Sequence, residues 1–268
     1  MSQMITRMSL KVIGYAAALL IIVGPLSSLV LWSFAEKWYW PHLFPQDFGL
    51  FYWKKVLDGT MLDSLSLSFG IASLVTLLTL LLTIPLSYML ARFHIPARAI
   101  ILIIFLLPQA FPQLPVFSNA LVLMYKWDLA GTVTGVVLIH LVGALVFAVW
   151  TLVSVFNSIP VSLEEAAVDV GASRVRVFFT VTLPLALPGI IAASLLVFLY
   201  SLDEFTGSLL IGSPFVITMP IYMYNSAMGY EMQVSSITAL LLMLPGVILL
   251  FLLERFLKSE YLSAFGRG

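Results

Sequence analysis

Few residues in this 268-residue chain have the chemistry to do work, and they are bunched. Glu164, Glu165, Asp169, Arg174 and Arg176 crowd into EEAAVDVGASRVRVFFTVTLPLALPG, the stretch from Glu164 to Gly189. Asp203 and Glu204 form a second acidic pair. Gln109 and Gln113 stand four apart in a proline-rich run, with Asn119 beyond them. Such groups bind, steer and dock. Covalent chemistry has weaker support. Cysteine is absent, which excludes disulfides and cysteine-bearing metal sites. No G-x-x-x-x-G-K-[ST] loop is present to cradle ATP phosphates. No Ser and His are paired, no metal-ligand cluster stands out, and no acid pair lies deep in an apolar run, so an intramembrane enzyme is not expected.

The elements that position these residues are apolar. The chain is 61% hydrophobic and 10% charged, with mean hydropathy +1.08. A soluble domain carries about 25% charged residues. An all-α integral membrane protein is expected, because in lipid each backbone group must be satisfied within its own segment. A span needs about 20 apolar residues. Six such runs fall near residues 12–34, 64–91, 99–125, 132–155, 184–202 and 234–253, within one transmembrane domain covering 1–268. Residues 12–34 are longer than the apolar core of a signal peptide, so an uncleaved first span is expected. A seventh charge-free run, 205–230, is punctuated by Gly207, Gly212, Pro214, Pro220 and Gly229. Glycine and proline at that density break helices, and the run reads as an outer loop, partly re-entrant.

Lys and Arg orient the chain. Six spans with the N-terminus inside place Arg7, Lys11, Arg92, Arg98, Arg174, Arg176, Arg255, Lys258 and Arg267 on the cytoplasmic side. Only Lys37, Lys54, Lys55 and Lys126 then lie outside. Both termini are thereby cytoplasmic. The outer acids include Asp58. The segment from about 35 to 63, rich in Trp, Tyr and Phe, suits the headgroup level.

Loop 156–183 is the one long polar segment on the inside. Ser162 with Glu165 three residues later is a capping-box pattern. Leu163, Ala166, Ala167 and Val170 fall on one helical face. Gly171 suits the position just past a helix end, and Ala172-Ser173 can start a second short helix. A helix, a glycine turn and a helix are therefore expected here, either as a docking surface or as an ordinary solvated loop.

Glu165-Ala166-Ala167, three residues, Gly171, nine residues, Val181, one residue and Leu183-Pro184 resemble the EAA motif of ABC importer permeases, the membrane subunits of binding-protein-dependent uptake systems. The family pattern usually has Ile where Val181 stands. ARFHIPAR (Ala91–Arg98) resembles that family's short basic loop, and LPLALPGI (Leu183–Ile190) the start of its following span. The likeness covers most of the chain from about Leu62, and it lies between the polyamine-type and sugar-type branches. It implies the type I importer permease architecture and a bacterial or archaeal cytoplasmic membrane. It also implies a coupling role for the loop. Glu165 and Gly171 would be its critical positions, Ala166 and Ala167 its close-packed floor, with Glu164 and Asp169 beside them. The implied partners are two ABC ATPases, which bind the ATP and Mg, a second permease chain and an extracytoplasmic binding protein. This chain itself would carry no cofactor.

A stand-alone secondary transporter or channel is the alternative. Against it, no buried chain of acids or histidines suggests a proton relay. His140, inside an apolar run, reads as a packed residue bonded to a backbone carbonyl. Gln109, Gln113 and Asn119 either line a solute path or bond between helices. Asp203 and Glu204 either face that path or a docked protein, or cap their span at the interface. The solute itself, a polyamine, a sugar or a similar small polar molecule, is not specified by these residues.

Overall fold

Apolar runs become helices wherever the chain is free of paired breakers. The computed structural model describes residues 2–39, 41–57 and 59–265, but not the side chains of 2–10, 12, 13, 16 and 252–265. Asp58 and Arg267 thus lie outside the described residues, as do the side chains of Arg7, Arg255 and Lys258. The chain divides into two units, Met1–Asp63 with Tyr222–Leu244, and Ser64–Ile221 with Pro245–Gly268. The elements in order are α1 (Ser2–Ser33), β1 (Ala35–Lys37), β2 (Asp47–Phe48), α2 (Phe51–Leu57), α3 (Met61–Arg92), α4 (Arg98–Ala110), α5 (Gln113–Lys126) and α6 (Val133–Ser158). There follow α7 (Val161–Asp169), α8 (Arg174–Val177), a π-helical turn (Phe178–Thr182), α9 (Leu183–Asp203), a second π-helical turn (Ser208–Gly212), α10 (Met219–Met228) and α11 (Met232–Phe265).

Among the described residues, four helical stretches are long and apolar enough to cross a membrane: Met61–Arg92, Val133–Ser158, Arg174–Asp203 and Met232–Phe251. A fifth arises if α4 and α5, bent by 98°, count as one span. The described apolar part of α1, Ala17–Ser33, is shorter.

In the first unit, β1 and β2 pair antiparallel. Lys37 and Asp47 close the base of this hairpin at 2.6 Å, and Trp38 donates to the His42 carbonyl at 2.7 Å. The carboxylate of Glu36 accepts the Phe51 N–H at 2.9 Å.

The second unit is organised around α6, which is apolar on all sides and buried along most of its length. Such a helix belongs in the middle of a bundle. Its outer neighbour is α9: Val136, Ala144 and Ala148 share one apolar cluster with Val197, and Leu152 and Phe156 share another with Ala186 and Ile190. Small residues permit the close crossing. A side chain at Gly189 would strike Val155, and one at Gly143 would strike Tyr200.

The helices depart from the expected span bounds at three places. Residues 99–125 are two helices and not one: the helix stops, turns by 98° and restarts at Gln113. Phe111 is extended (φ −105°, ψ 151°) because it precedes Pro112, and a residue before proline is pushed out of the helical region. The helix leading into α9 does not begin at Pro184 but runs on from Arg174 through the π turn. That wide turn covers the residues whose carbonyls the Pro184 ring would otherwise meet. Finally, 205–230, read as a partly re-entrant loop, holds a π turn and the short α10, and no helix long enough to cross a membrane. Its breakers sit at element ends: Gly212 ends the π turn, and Pro220 is in the first turn of α10, where a missing N–H costs little. The N–H of Met219 is donated to the Ser68 hydroxyl at 2.7 Å.

Candidate functional site

The loop after α6 folds as helix, glycine turn, helix. Its first helix starts two residues earlier than the Ser162/Glu165 pattern predicts. Pro160 (φ −58°, ψ 125°) is the N-cap and no side chain caps α7, so Ser162 lies inside the first turn. The other end is as expected. Gly171 has φ +93°, donates its N–H to Val168 O at 2.8 Å, and is followed by Ala172 N–H to Ala167 O at 3.1 Å. These two bonds make a complete Schellman closure, which needs a left-handed residue where Gly171 stands. Ser173 then caps α8, accepting from Arg176 N–H at 3.4 Å.

Glu164 and Glu165 are adjacent, so one helix must point them apart. Glu165 and Ala166 are exposed and Ala167 is half-exposed, while Glu164 is buried. Arg92 Nε donates to Glu164 Oε1 at 2.9 Å, and the two side chains are only 7% and 11% exposed. Thr182 Oγ1 donates to the same oxygen at 2.9 Å, and Tyr88 OH to Oε2 at 3.5 Å. Arg92 Nη2 also donates to Ile159 O at 3.0 Å. The pair is paired and multiply bonded, as a buried ion pair must be. It also benefits from geometry, since Arg92 ends α3 and Glu164 starts α7, where the helix dipoles favour a cation and an anion. Glu164 is thus an internal anchor and not part of the exposed face with which the sequence grouped it.

The rest of α7 is open. Leu163, Val168 and Val170 are exposed, Val170 to 85%. A cavity of about 300 Å³ runs beside the helix, between Tyr88, Arg92 and Phe93 of the α3 end and Glu165, Asp169 and Arg174 of the loop. Its wall carries both signs of charge next to exposed apolar side chains. Sequence reasoning missed Tyr88, Arg92 and Thr182. Arg92 was visible only as a basic residue for orientation, and nothing local links it to a residue 72 positions away.

The residues proposed for a solute path are not gathered in one place. Gln109 lies in the last turn of α4 and Gln113 begins α5, so the bend removes the shared helix face their spacing predicts. Gln109 is exposed and Gln113 half-exposed. Asn119 is exposed and donates to Pro115 O of its own helix at 2.8 Å. Asp203 is exposed. Glu204 is buried, with Oε1 accepting Gly207 N–H at 2.8 Å and Oε2 accepting Ser208 N–H at 2.9 Å. His140 is buried beside it and meets Ser201 and Ser208 hydroxyls at 2.8 Å each. Its partners are therefore hydroxyls and a carboxylate, not a backbone carbonyl, and a buried ionisable pair exists where none was expected. The signal was hidden because 64 positions separate the two residues in sequence. Among the described residues, no three His, Asp or Glu side chains are gathered to hold a metal ion.

Comparison with known proteins places this geometry among transport components. The family described as "Binding-protein-dependent transport system inner membrane component" matches residues 83–261. An ABC transporter permease protein of Streptomyces antibioticus is 32% identical over 69% of this chain and 82% of its own. The sulfoquinovosyl glycerol transport system permease protein SmoH of Agrobacterium fabrum (strain C58) is 32% identical over 70% of this chain and 67% of its own. Among solved structures, a bacterial ABC transporter involved in the import of the acidic polysaccharide alginate has a chain of the same fold. It superposes with TM-score 0.67 at 18% identity, covering 92% of this chain and 96% of that one.

Proposed function

Since the chain belongs to the family of inner-membrane components of binding-protein-dependent transport systems, we propose that it is the permease subunit of an ATP-driven importer whose α7 face docks a separate ATPase. The single observation that carries this reading is the construction of α7. Its exposed face presents Glu165, Ala166 and Val170 outward, while Glu164 and the Gly171 turn hold the helix rigidly from behind. A short helix with small and apolar residues outward fits a groove on another protein. Asp169 and Arg174, beside it, supply polar contacts at the rim.

In this reading six spans carry the chain across a bacterial or archaeal cytoplasmic membrane, with both termini inside. α1 and the bent α4–α5 pair supply two of the six. A second permease chain completes the path, two ATPases bind ATP and Mg, and an extracytoplasmic binding protein delivers the solute. That solute is a small polar molecule of the sugar or polyamine kind. Gln109, Gln113, Asn119 and Asp203 keep exposed or half-exposed polar groups for it, whereas Glu204 has both oxygens engaged within the chain.

The competing reading is a stand-alone carrier, and the buried His140–Glu204 pair is the observation in its favour. Purification of the chain with its operon partners separates the two. Co-purification of an ATPase is expected, with loss of that ATPase in Ala166→Trp and loss of uptake in Glu165→Ala. A fully active chain that holds no ATPase would overturn the proposal.

A further inference from the structure

Glu164 lies behind the docking face, yet it joins three helices. α7 is connected to its neighbours in sequence by non-helical joints. Ile159 and Pro160 are extended on one side, and the left-handed Gly171 turn follows on the other. Joints of this kind transmit a push or a rotation poorly. The stiff connections run through side chains instead. One oxygen of Glu164 takes Arg92 from the end of α3 and Thr182 from the root of α9, each at 2.9 Å. Arg92 also holds Ile159 O, a carbonyl within the α6–α7 joint. The site is shielded from water, and separating a buried pair there leaves an uncompensated charge.

Thr182 is the last residue of the π turn Phe178–Thr182, set within an otherwise continuous helix. π turns are wide, rare and frequent at functional sites. An apolar tie reinforces the polar one: the Tyr88 ring packs edge-on against Phe178 with centroids 4.9 Å apart and against Phe156 at 5.7 Å. The end of α3, the first turn of α7 and the π turn are therefore clamped to one carboxylate.

We infer that Glu164, Arg92 and Thr182 are positioning residues that convert displacement of α7 into movement of α3 and α9 together, with the π turn as the hinge of α9. This rests on the docking reading above. It adds which spans receive the motion and through which atoms.

The test uses the complete transporter in nanodiscs, purified with its ATPase subunits. The chain has no cysteine, so Phe215→Cys, at an 81% exposed position beyond the far end of α9, carries one environment-sensitive fluorophore. MgATP with vanadate is expected to shift its emission. In Arg92→Gln and Thr182→Val, the ATPase is expected to stay bound and to keep hydrolysing MgATP while the emission shift is lost. Arg92→Lys, which keeps the charge, is expected to restore part of it. A wild-type emission shift in both Arg92→Gln and Thr182→Val overturns the inference. Should Arg92→Gln fail to assemble, Thr182→Val decides alone, because it removes one hydrogen bond and keeps the shape. Loss of the bound ATPase in Thr182→Val would mean a purely structural role and also overturns it. If the unmutated chain holds no ATPase, the docking reading itself has failed, an outcome distinct from an assembled but unresponsive variant.

Discussion

His140 Nε2 and Glu204 Oε2 meet at 3.3 Å, with side chains 1% and 2% exposed. The Ser208 hydroxyl gives its proton to the Glu204 carbonyl at 3.1 Å. It must therefore accept from His140 Nε2–H, while Nδ1 meets the Ser201 hydroxyl at 2.8 Å. The cluster ties α6 to the end of α9 and to the second π turn, with each polar atom matched inside the chain. Each of the two π turns is thus anchored by a buried glutamate, Glu164 for the first and Glu204 for the second.

Removing the imidazole strands buried partners. His140→Leu is expected to destabilise the protein by about 1–3 kcal/mol, the cost of leaving buried polar groups unsatisfied. Thermal unfolding in detergent checks this, and His140→Leu melting with the wild type would show that the cluster contributes nothing.

Gly171 tests backbone strain apart from crowding. A side chain there would meet nothing within 4 Å, but the φ of +93° disfavours one. Gly171→Val is expected to cost about 1–3 kcal/mol as a strained residue and to weaken ATPase retention. Gly171→Asn, with a residue type that tolerates positive φ better, is expected to fall between the two. Pull-down of the ATPase with each variant measures the order.

Two helical glycines make a contrasting pair. At Gly135 an added Cβ would run into the Leu129 backbone carbonyl, which has no freedom to move away. At Gly70 it would meet nothing within 4 Å. Gly135→Ala is expected to lower the thermal midpoint clearly. Gly70→Ala is expected to leave it unchanged or raise it, since alanine gains up to about 1 kcal/mol of helix propensity. Equal midpoints for the two variants would contradict the packing described at Gly135.

Lys55 and Glu231 pair at 2.5 Å on an exposed surface, with side chains 47% and 43% accessible. The hydrogen bond to Glu231 raises the Lys55 pKa above the ordinary lysine value. The linked stability is therefore fully present below the unfolded lysine pKa and is lost as pH rises through the folded one. Exposure limits it to about 0–1 kcal/mol. Lys55→Met is expected to shift the midpoint slightly at pH 7 and low salt, and the shift is expected to fade in high salt as the charges are screened. A large, salt-independent shift would point to a role beyond the ion pair.

What the sequence determined by itself is everything governed by local periodicity and chain polarity. Apolar runs made the helices, and Gly171 marked the helix end because few other residue types accept its backbone. The spacing from Glu165 to Pro184 carried the family likeness. Tertiary structure decided what depends on distant partners. Glu164 and Glu165 are the same residue type side by side, and only the fold turns one onto Arg92 and leaves the other exposed. The pairing of His140 with Glu204 likewise needs α6 and α9 packed before it exists. The 98° break between α4 and α5 also depended on context. Prolines in a helix kink it when the ladder can be patched across them, and end it when, as at Phe111-Pro112, the preceding residue settles into an extended conformation.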